Sequence, residues 1–203
     1  MSKVVSAKIA VGLVSDNDIV AVNSSSGLCC PDAVLAALGE RFDETGSPKN
    51  LTTIHPIAAG DMFGTKGVDH IAKPGMLARI IGGSYPSGPT KAEPPLIWQM
   101  IVANQVRAYN VPSGIVFDIL REGAAKRPGV LTKVGMQTFV DPDLEGCAMN
   151  DAARDAPIVS KREFDGEDWL YFKAMAPDVA IIRATTADER GNLTFEQEGA
   201  YLG

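Results

Sequence analysis

Three polar corners carry most of the groups in this sequence that could handle a carbonyl or an anion. They are Ser24-Ser25-Ser26-Gly27-Leu28, Gly82-Gly83-Ser84-Tyr85 and Pro112-Ser113-Gly114. Each follows a short apolar run. A corner that turns a strand into a helix aims backbone N–H groups, and the positive end of the helix, at whatever binds there. A fourth corner, Gly135-Met136-Gln137-Thr138, adds an amide side chain. Each has a plain structural alternative: a β–α connection for residues 23–30, a strand-end turn with a half-buried aromatic at Tyr85, a helix N-cap for Ser113, and a solvent-facing loop residue for Gln137.

Other chemistries find little support. Residues 23–30 do not spell a G-x-G-x-x-G fingerprint, and Gly60 to Lys66 lacks P-loop spacing. No G-x-S-x-G elbow is present. His55 and His70 have no second His or Cys at ligand spacing, which argues against zinc. Cys29, next to a helix start, reads either as a thiol of lowered pKa or as a small buried filler. Glu196 and Glu198 read as an exposed, charged end.

The elements that must position these corners follow from hydrophobic spacing. Strands are expected at Ile9 to Val14, Asp18 to Val22, Leu51 to Ala58, Arg79 to Ile81, Val106 to Tyr109 and Val179 to Ala184. Helices are expected over Pro31 to Phe42, where Val34, Leu35, Leu38 and Phe42 share a face, over Pro95 to Gln105, and over Val116 to Leu120. After Val106 the order is strand, corner, helix, loop and a further strand, then the Gly135 corner. Two apolar runs around Asp165-Gly166 predict a hairpin, and Gly191-Asn192 a turn into Leu193 to Phe195. The pattern predicts an α/β fold: an open, mostly parallel sheet flanked by helices, with an antiparallel hairpin region near the C-terminus.

The 203 residues suit one domain, and 45% hydrophobic content is enough for a full core. A net charge of −6 with no basic cluster argues against a nucleic-acid partner. No apolar run approaches the roughly 20 residues of a membrane helix. The N-terminus makes a poor signal peptide, and three cysteines form no disulfide framework, so a cytoplasmic location is the expectation.

The order of residues also resembles the family I coenzyme A transferases, most of all their acetate/propionate branch. The resemblance is carried by Val106 to Pro142, with Leu131-Thr132-Lys133-Val134-Gly135 and Thr138-Phe139-Val140-Asp141-Pro142, and by Asp178 to Asn192. Gly27, Pro31 and Asp32 match the family's glycine-rich loop, and Gly82 to Tyr85 its acid-side element. There are departures. Asn23, Ser24 and Cys29 stand where glycines are usual, which predicts a reshaped loop. Ser113 stands where the family carries a glutamine near the reacting carbonyl, and Gln137 where it prefers a small residue. A compensating amide reaching into the pocket from Gln137 is one reading of that exchange.

The resemblance implies transfer of CoA between a short-chain acyl-CoA and a carboxylic acid, through a glutamyl-CoA intermediate. CoA is then a substrate, and no metal or bound cofactor is required. It implies substrate contacts at Ser24, Ser25, Ser26, Gly27, Leu28, Gly83, Ser84, Tyr85, Ser113, Gly114 and Gln137, with Ser113 and Gln137 as candidate oxyanion contacts. The catalytic glutamate belongs to a second, beta-type half of the family's architecture, with no counterpart here. The sequence stops at Gly199-Ala200-Tyr201-Leu202-Gly203, and the resemblance therefore reads it as an alpha half, inactive alone and part of a homo- or hetero-oligomer. A silent ligand-binding or regulatory domain on the same fold is the alternative. A sugar-phosphate isomerase is disfavoured, because residues 23–30 contain no Lys or Arg.

Overall fold

The computed structural model describes residues 3–87 and 93–198, so the Gly199–Gly203 end lies outside the described residues. A five-stranded parallel sheet is built from β1 (Ile19–Val22), β2 (Leu51–His55), β3 (Leu77–Gly82), β4 (Arg107–Asn110) and β8 (Val179–Ile181), in the order β4-β3-β2-β1-β8. Neighbouring residues point to opposite faces of a strand, and both faces here are apolar. Ile80 enters one core with Val20, Val22 and Leu51, while Ile81 enters a second with Ile54 and Tyr109.

Helices α2 (Asp32–Thr45) and α3 (Leu96–Val102) close the first core through Leu35, Leu38, Ile97 and Met100. Helix α4 (Ser113–Ala124) closes the second through Ile115, Val116 and Ile119. This division follows from handedness. The steps from β1 to β4 run one way across the sheet with their helices on one face. The return from β4 to β8 runs the other way, so a right-handed crossover places α4 on the opposite face.

A smaller antiparallel sheet, β5 (Gly129–Thr132), β7 (Glu167–Lys173) and β6 (Val159–Phe164), packs Val130, Val159, Leu170 and Phe172 into the second core. The predicted hairpin turns at Asp165-Gly166, both at positive φ. The strand after α4 belongs to this sheet rather than to the parallel one. A short helix α5 (Asp151–Arg154) and the pair β9 (Thr186–Ala187) and β10 (Leu193–Thr194) complete the described elements. Asp188 Oδ1 accepts from the N–H groups of Arg190 and Asn192, each at 2.8 Å, which makes the turn expected there.

Two expectations need correction. Residues 9–14 are not a strand: helix α1 (Ala7–Ala10) runs into a 3-10 turn at Val11–Leu13. Ser6 caps α1, Val11 and Val14 are buried three apart, and Arg41 Nη1 donates to both of their carbonyls. A three-residue spacing that buries one side and leaves Ile9 and Leu13 exposed is helical. The strand at Val179–Ile181 is shorter than expected and lies at the sheet edge, with Ala180 and Ile182 exposed. Among the described residues no helix is long and apolar enough to cross a membrane.

Candidate active site

The sheet order reverses between β1 and β8, and the crevice outside the strand ends at such a point is where open α/β sheets bind ligands. The β1–α2 loop, residues 23–31, lies there. Ser25 and Leu28 exchange backbone hydrogen bonds at 2.9 and 3.0 Å, forming a tight turn. Ser24 is buried, and its hydroxyl donates to the Ala58 carbonyl at 3.1 Å. Ser26 N–H donates to the same carbonyl at 2.9 Å, and Gly60 N–H returns a bond to the Ser26 carbonyl. The loop is therefore sewn to residues 57–60, leaving Ser26 and Leu28 exposed and Ser25 half-buried.

The expected reshaping takes a specific form. Left-handed φ is held by Ser26 (55°) and Cys29 (55°), not by Asn23 or Ser24. Gly27 is required for packing instead: a Cβ there would sit 2.1 Å from Asp61 Oδ2. Asp61 in turn accepts from Phe63 N–H (2.8 Å) and Thr65 N–H (3.2 Å), and the Phe63 bond foremost lowers its pKa. Cys29 is 2% exposed and its thiol pKa is raised, by burial first and by the nearby charge of Glu198 second. It is a filler, not an activated thiol.

The Gly83 and Ser113 corners meet. Gly83 N–H donates to the His55 carbonyl at 3.1 Å, and Val111 N–H to the Gly82 carbonyl at 2.8 Å. A Cβ on Gly83 would lie 2.1 Å from Ser113 Oγ and 2.3 Å from the Pro56 carbonyl oxygen. Ser113 is not the N-cap. Pro112 holds that position, and Ser113 opens the helix, half-buried, with exposed Gly114 beside it. The N–H groups of Ser113 and Gly114 have no intrahelical acceptor. The Ser113 hydroxyl also makes no hydrogen bond among the described residues, so three donors are free at this corner.

Ser84 is exposed, and its Oγ accepts from Ala58 N–H at 3.3 Å. Tyr85 packs edge-on against Trp98, with centroids 6.1 Å apart, and its hydroxyl donates to the Tyr109 carbonyl at 2.8 Å. Burial raises its pKa. Its polar end is spent on bracing the β3 turn against β4.

The segment after the Gln137 corner joins the end of β4: Asn110 N–H donates to the Cys147 carbonyl and Cys147 N–H to the Phe139 carbonyl, each at 2.9 Å. Buried Asp141 organises it, accepting from Gln137 N–H (3.0 Å) and Asp143 N–H (3.1 Å), with Lys161 Nζ 3.1 Å away. The Gln137 bond foremost depresses the Asp141 pKa. Gln137 itself sits at φ 61° with its side chain exposed, and no hydrogen bond joins its amide to Ser113 among the described residues.

Three features escape a reading of the sequence. His55 ends β2 beneath Gly83, 1% exposed, with neither ring nitrogen hydrogen-bonded, and burial lowers its pKa to about 4. An apolar groove of about 440 Å3 opens beside the strand ends, lined by Asn23, Pro56, Phe117, Leu120, Ala180 and Ile182 among others. Glu198 has a side chain only 10% exposed and is paired with Arg183 at 3.3 Å, so it is not a free acidic end. A larger cavity, about 810 Å3, lies along α2 among Glu40, Asp43, Lys66, Asp69 and Lys73. Its mixed charges and its distance in the fold from the Gly83–Ser113 contact make it the weaker site candidate.

A profile of the coenzyme A transferase family matches residues 4–203. The chain belongs to that family. It is 38% identical over 203 residues to a caffeate CoA-transferase of Acetobacterium woodii, a match covering 98% of this chain and 36% of that protein. It is 29% identical to one separately named subunit of a succinyl-CoA:3-ketoacid coenzyme A transferase of Xanthomonas campestris, over 92% of this chain and 65% of that polypeptide. In structure it matches the acyl-CoA transferase YdiF of Escherichia coli O157:H7, solved as a thioester complex with CoA. The TM-score is 0.88 at 33% identity, covering 99% of this chain and 38% of that one. The chain therefore spans little more than a third of the first relatives, in a family also built from separately named subunits.

Proposed function

We propose that this chain is the alpha-type half of an enzyme that moves CoA between a short-chain acyl-CoA and a carboxylic acid. The observation that carries the reading is the junction of Gly83 with the first turn of α4, at the strand ends of a coenzyme A transferase fold. Acyl transfer places negative charge on a carbonyl oxygen, and a donor aimed at that charge in a dry site contributes about 3 kcal/mol. The N–H groups of Ser113 and Gly114 and the Ser113 hydroxyl supply such donors. Among the described residues no side-chain base is hydrogen-bonded to that hydroxyl, the nucleophilic group of this corner. The attacking carboxylate is assigned to the complementary half, the acid side to the Gly82–Tyr85 element, and a further wall of the site to the Ser25–Leu28 turn.

The names of the relatives support the reaction class: one is a caffeate transferase, and another is a subunit by name. The apolar groove supports a covered face. Parallel sheets bury both faces, yet Ala180 and Ile182 are exposed there. We assign this face to contact with the rest of the assembled enzyme. The isolated chain then self-associates at micromolar concentration. Ala180→Asp lowers that association at least about tenfold, since an unpaired charge is costly to bury, as sedimentation velocity would register. A monodisperse wild-type monomer would refute the covered face. The reaction is tested by exchange of labelled acetate into acetyl-CoA in the assembled protein; absence of exchange with acetate and other short-chain acids alike refutes the assignment.

A further inference from the structure

The left-handed stretch of the β1–α2 loop is held from outside. Cys29 carries a Cβ at φ 55°, an uphill conformation that persists only where the surroundings over-determine it. Arg183 does so from two directions, and the Glu198 carboxylate meets the Cys29 thiol directly. The Arg183 carbonyl accepts from Cys29 Sγ at 3.5 Å, while Arg183 Nη1 donates to the Cys30 carbonyl at 3.4 Å. Arg183 is itself half exposed, and a long side chain in that setting does not keep one rotamer unaided. Glu198 fixes it. The carboxylate lies 3.3 Å from Arg183 Nε and is 10% exposed, although it comes from the strand-poor segment after β10. Glu196, two residues earlier, points elsewhere and accepts from Thr186 Oγ1 at 2.7 Å.

We infer that Glu198 is a positioning residue: through Arg183 and its own contact with the Cys29 thiol it locks the Cys29–Cys30 end of the β1–α2 loop and so sets the Ser25–Leu28 turn against the reacting acyl group. The inference deepens the CoA-transfer reading and rests on it for its catalytic half. The structural half stands on the contacts alone. Breaking the carboxylate–guanidinium pair frees Arg183, releases the Cys30 carbonyl and lets the loop leave its left-handed conformation.

The test compares wild-type protein with Glu198→Gln, Glu198→Asp and Arg183→Met, all in the assembled enzyme. The first readout is labelling by a thiol-specific disulfide reagent, resolved by residue in a mass spectrometer. Cys147 is the internal control, because it is fully buried in the second core and far from this contact in the fold. In Arg183→Met, where loss of the cation can only raise the thiol pKa, labelling of Cys29 still rises about tenfold, the mark of local opening; in Glu198→Gln, where loss of the charge also frees the thiolate, it rises at least as much, while Cys147 stays unchanged in both. Equal rises at both cysteines mean general loosening and overturn the inference, as does no rise at Cys29. The second readout is steady-state exchange. In Glu198→Gln, kcat falls about tenfold with acyl-CoA KM within about twofold, and Glu198→Asp recovers part of the loss. A change confined to KM would make Glu198 a substrate contact instead. If wild-type protein shows no exchange, the functional reading fails and the cysteine labelling still decides the contact.

Discussion

Replacing Gly83 with alanine lowers CoA exchange about a hundredfold, because displacement of a positioned group by an ångström costs that much. It also costs about 3 kcal/mol of stability, the upper end of overpacking. The obstruction is not a flexible side-chain tip. The added carbon would meet the Pro56 carbonyl oxygen at 2.3 Å and the Ser113 Cα at 3.0 Å, both main-chain atoms, besides Ser113 Oγ at 2.1 Å. Two strand-end loops must separate to admit it, and Ser113 opens α4, so the helix start moves away from β3. Denaturant unfolding and exchange kinetics of the same variant check both effects. Gly114 is the stability control: a Cβ there meets nothing within 4 Å, so Gly114→Ala keeps or slightly raises stability. Adding Ser113→Gly to Gly83→Ala rescues only in part, since the Pro56 contact remains.

Stability falls by about 3 kcal/mol between pH 6.5 and pH 4, and His55 is the cause. Its ring is fully buried without a hydrogen-bond partner, which holds its folded pKa at about 4 against an ordinary 6.5. A lowered histidine pKa means that the folded state resists the proton. Between the two values the unfolded chain binds more protons, so acid favours unfolding across that window. Above pH 6.5 both states are neutral and the effect vanishes. His55→Phe removes the titrating ring and the two unpaired nitrogens at similar volume. The urea midpoint of the variant relative to wild type then rises as the pH is lowered from 7 to 4.5. Parallel pH profiles for the two proteins would show that His55 gains a proton acceptor in solution. Carboxylates with depressed pKa values, such as Asp141 and Asp61, add their own losses at lower pH, and the difference between the two proteins cancels them.

The parallel sheet was legible because its signals are local. β-branched runs at Val20 and Ile80 end in glycine or serine corners, and the hairpin announces itself at Asp165-Gly166. The N-terminal segment misled because Ile9 to Val14 is apolar enough for a strand. Only the tertiary bonds from Arg41 and the burial of Val11 with Val14 decide for a helical turn. The strand at 129–132 was recognisable, but its sheet was not, since strand pairing is a long-range choice.

The corners of the candidate site could be placed at strand ends from sequence, but not what their side chains do. Ser24, Ser84 and Tyr85 look available for ligands, yet the two serines join one loop to another and Tyr85 ties its turn to strand β4. Ser113 reads naturally as a cap, and becomes a first-turn residue with an uncommitted hydroxyl because Pro112 takes the cap position. The Gly27–Asp61 contact and the Glu198–Arg183–Cys30 chain join residues far apart in sequence, and no spacing rule reaches them. A buried histidine without partners has no sequence signature at all.

Titrating one half against the other decides whether the active site is completed between them. A fixed amount of this chain is mixed with increasing amounts of a complementary, glutamate-bearing half, and acetate–acetyl-CoA exchange is followed. Neither half alone exchanges; activity rises on mixing and saturates at equal molar amounts, and Gly83→Ala lowers the plateau. Exchange catalysed by this chain alone would contradict a site completed between the halves, and so would a saturated complex that binds acyl-CoA yet transfers nothing.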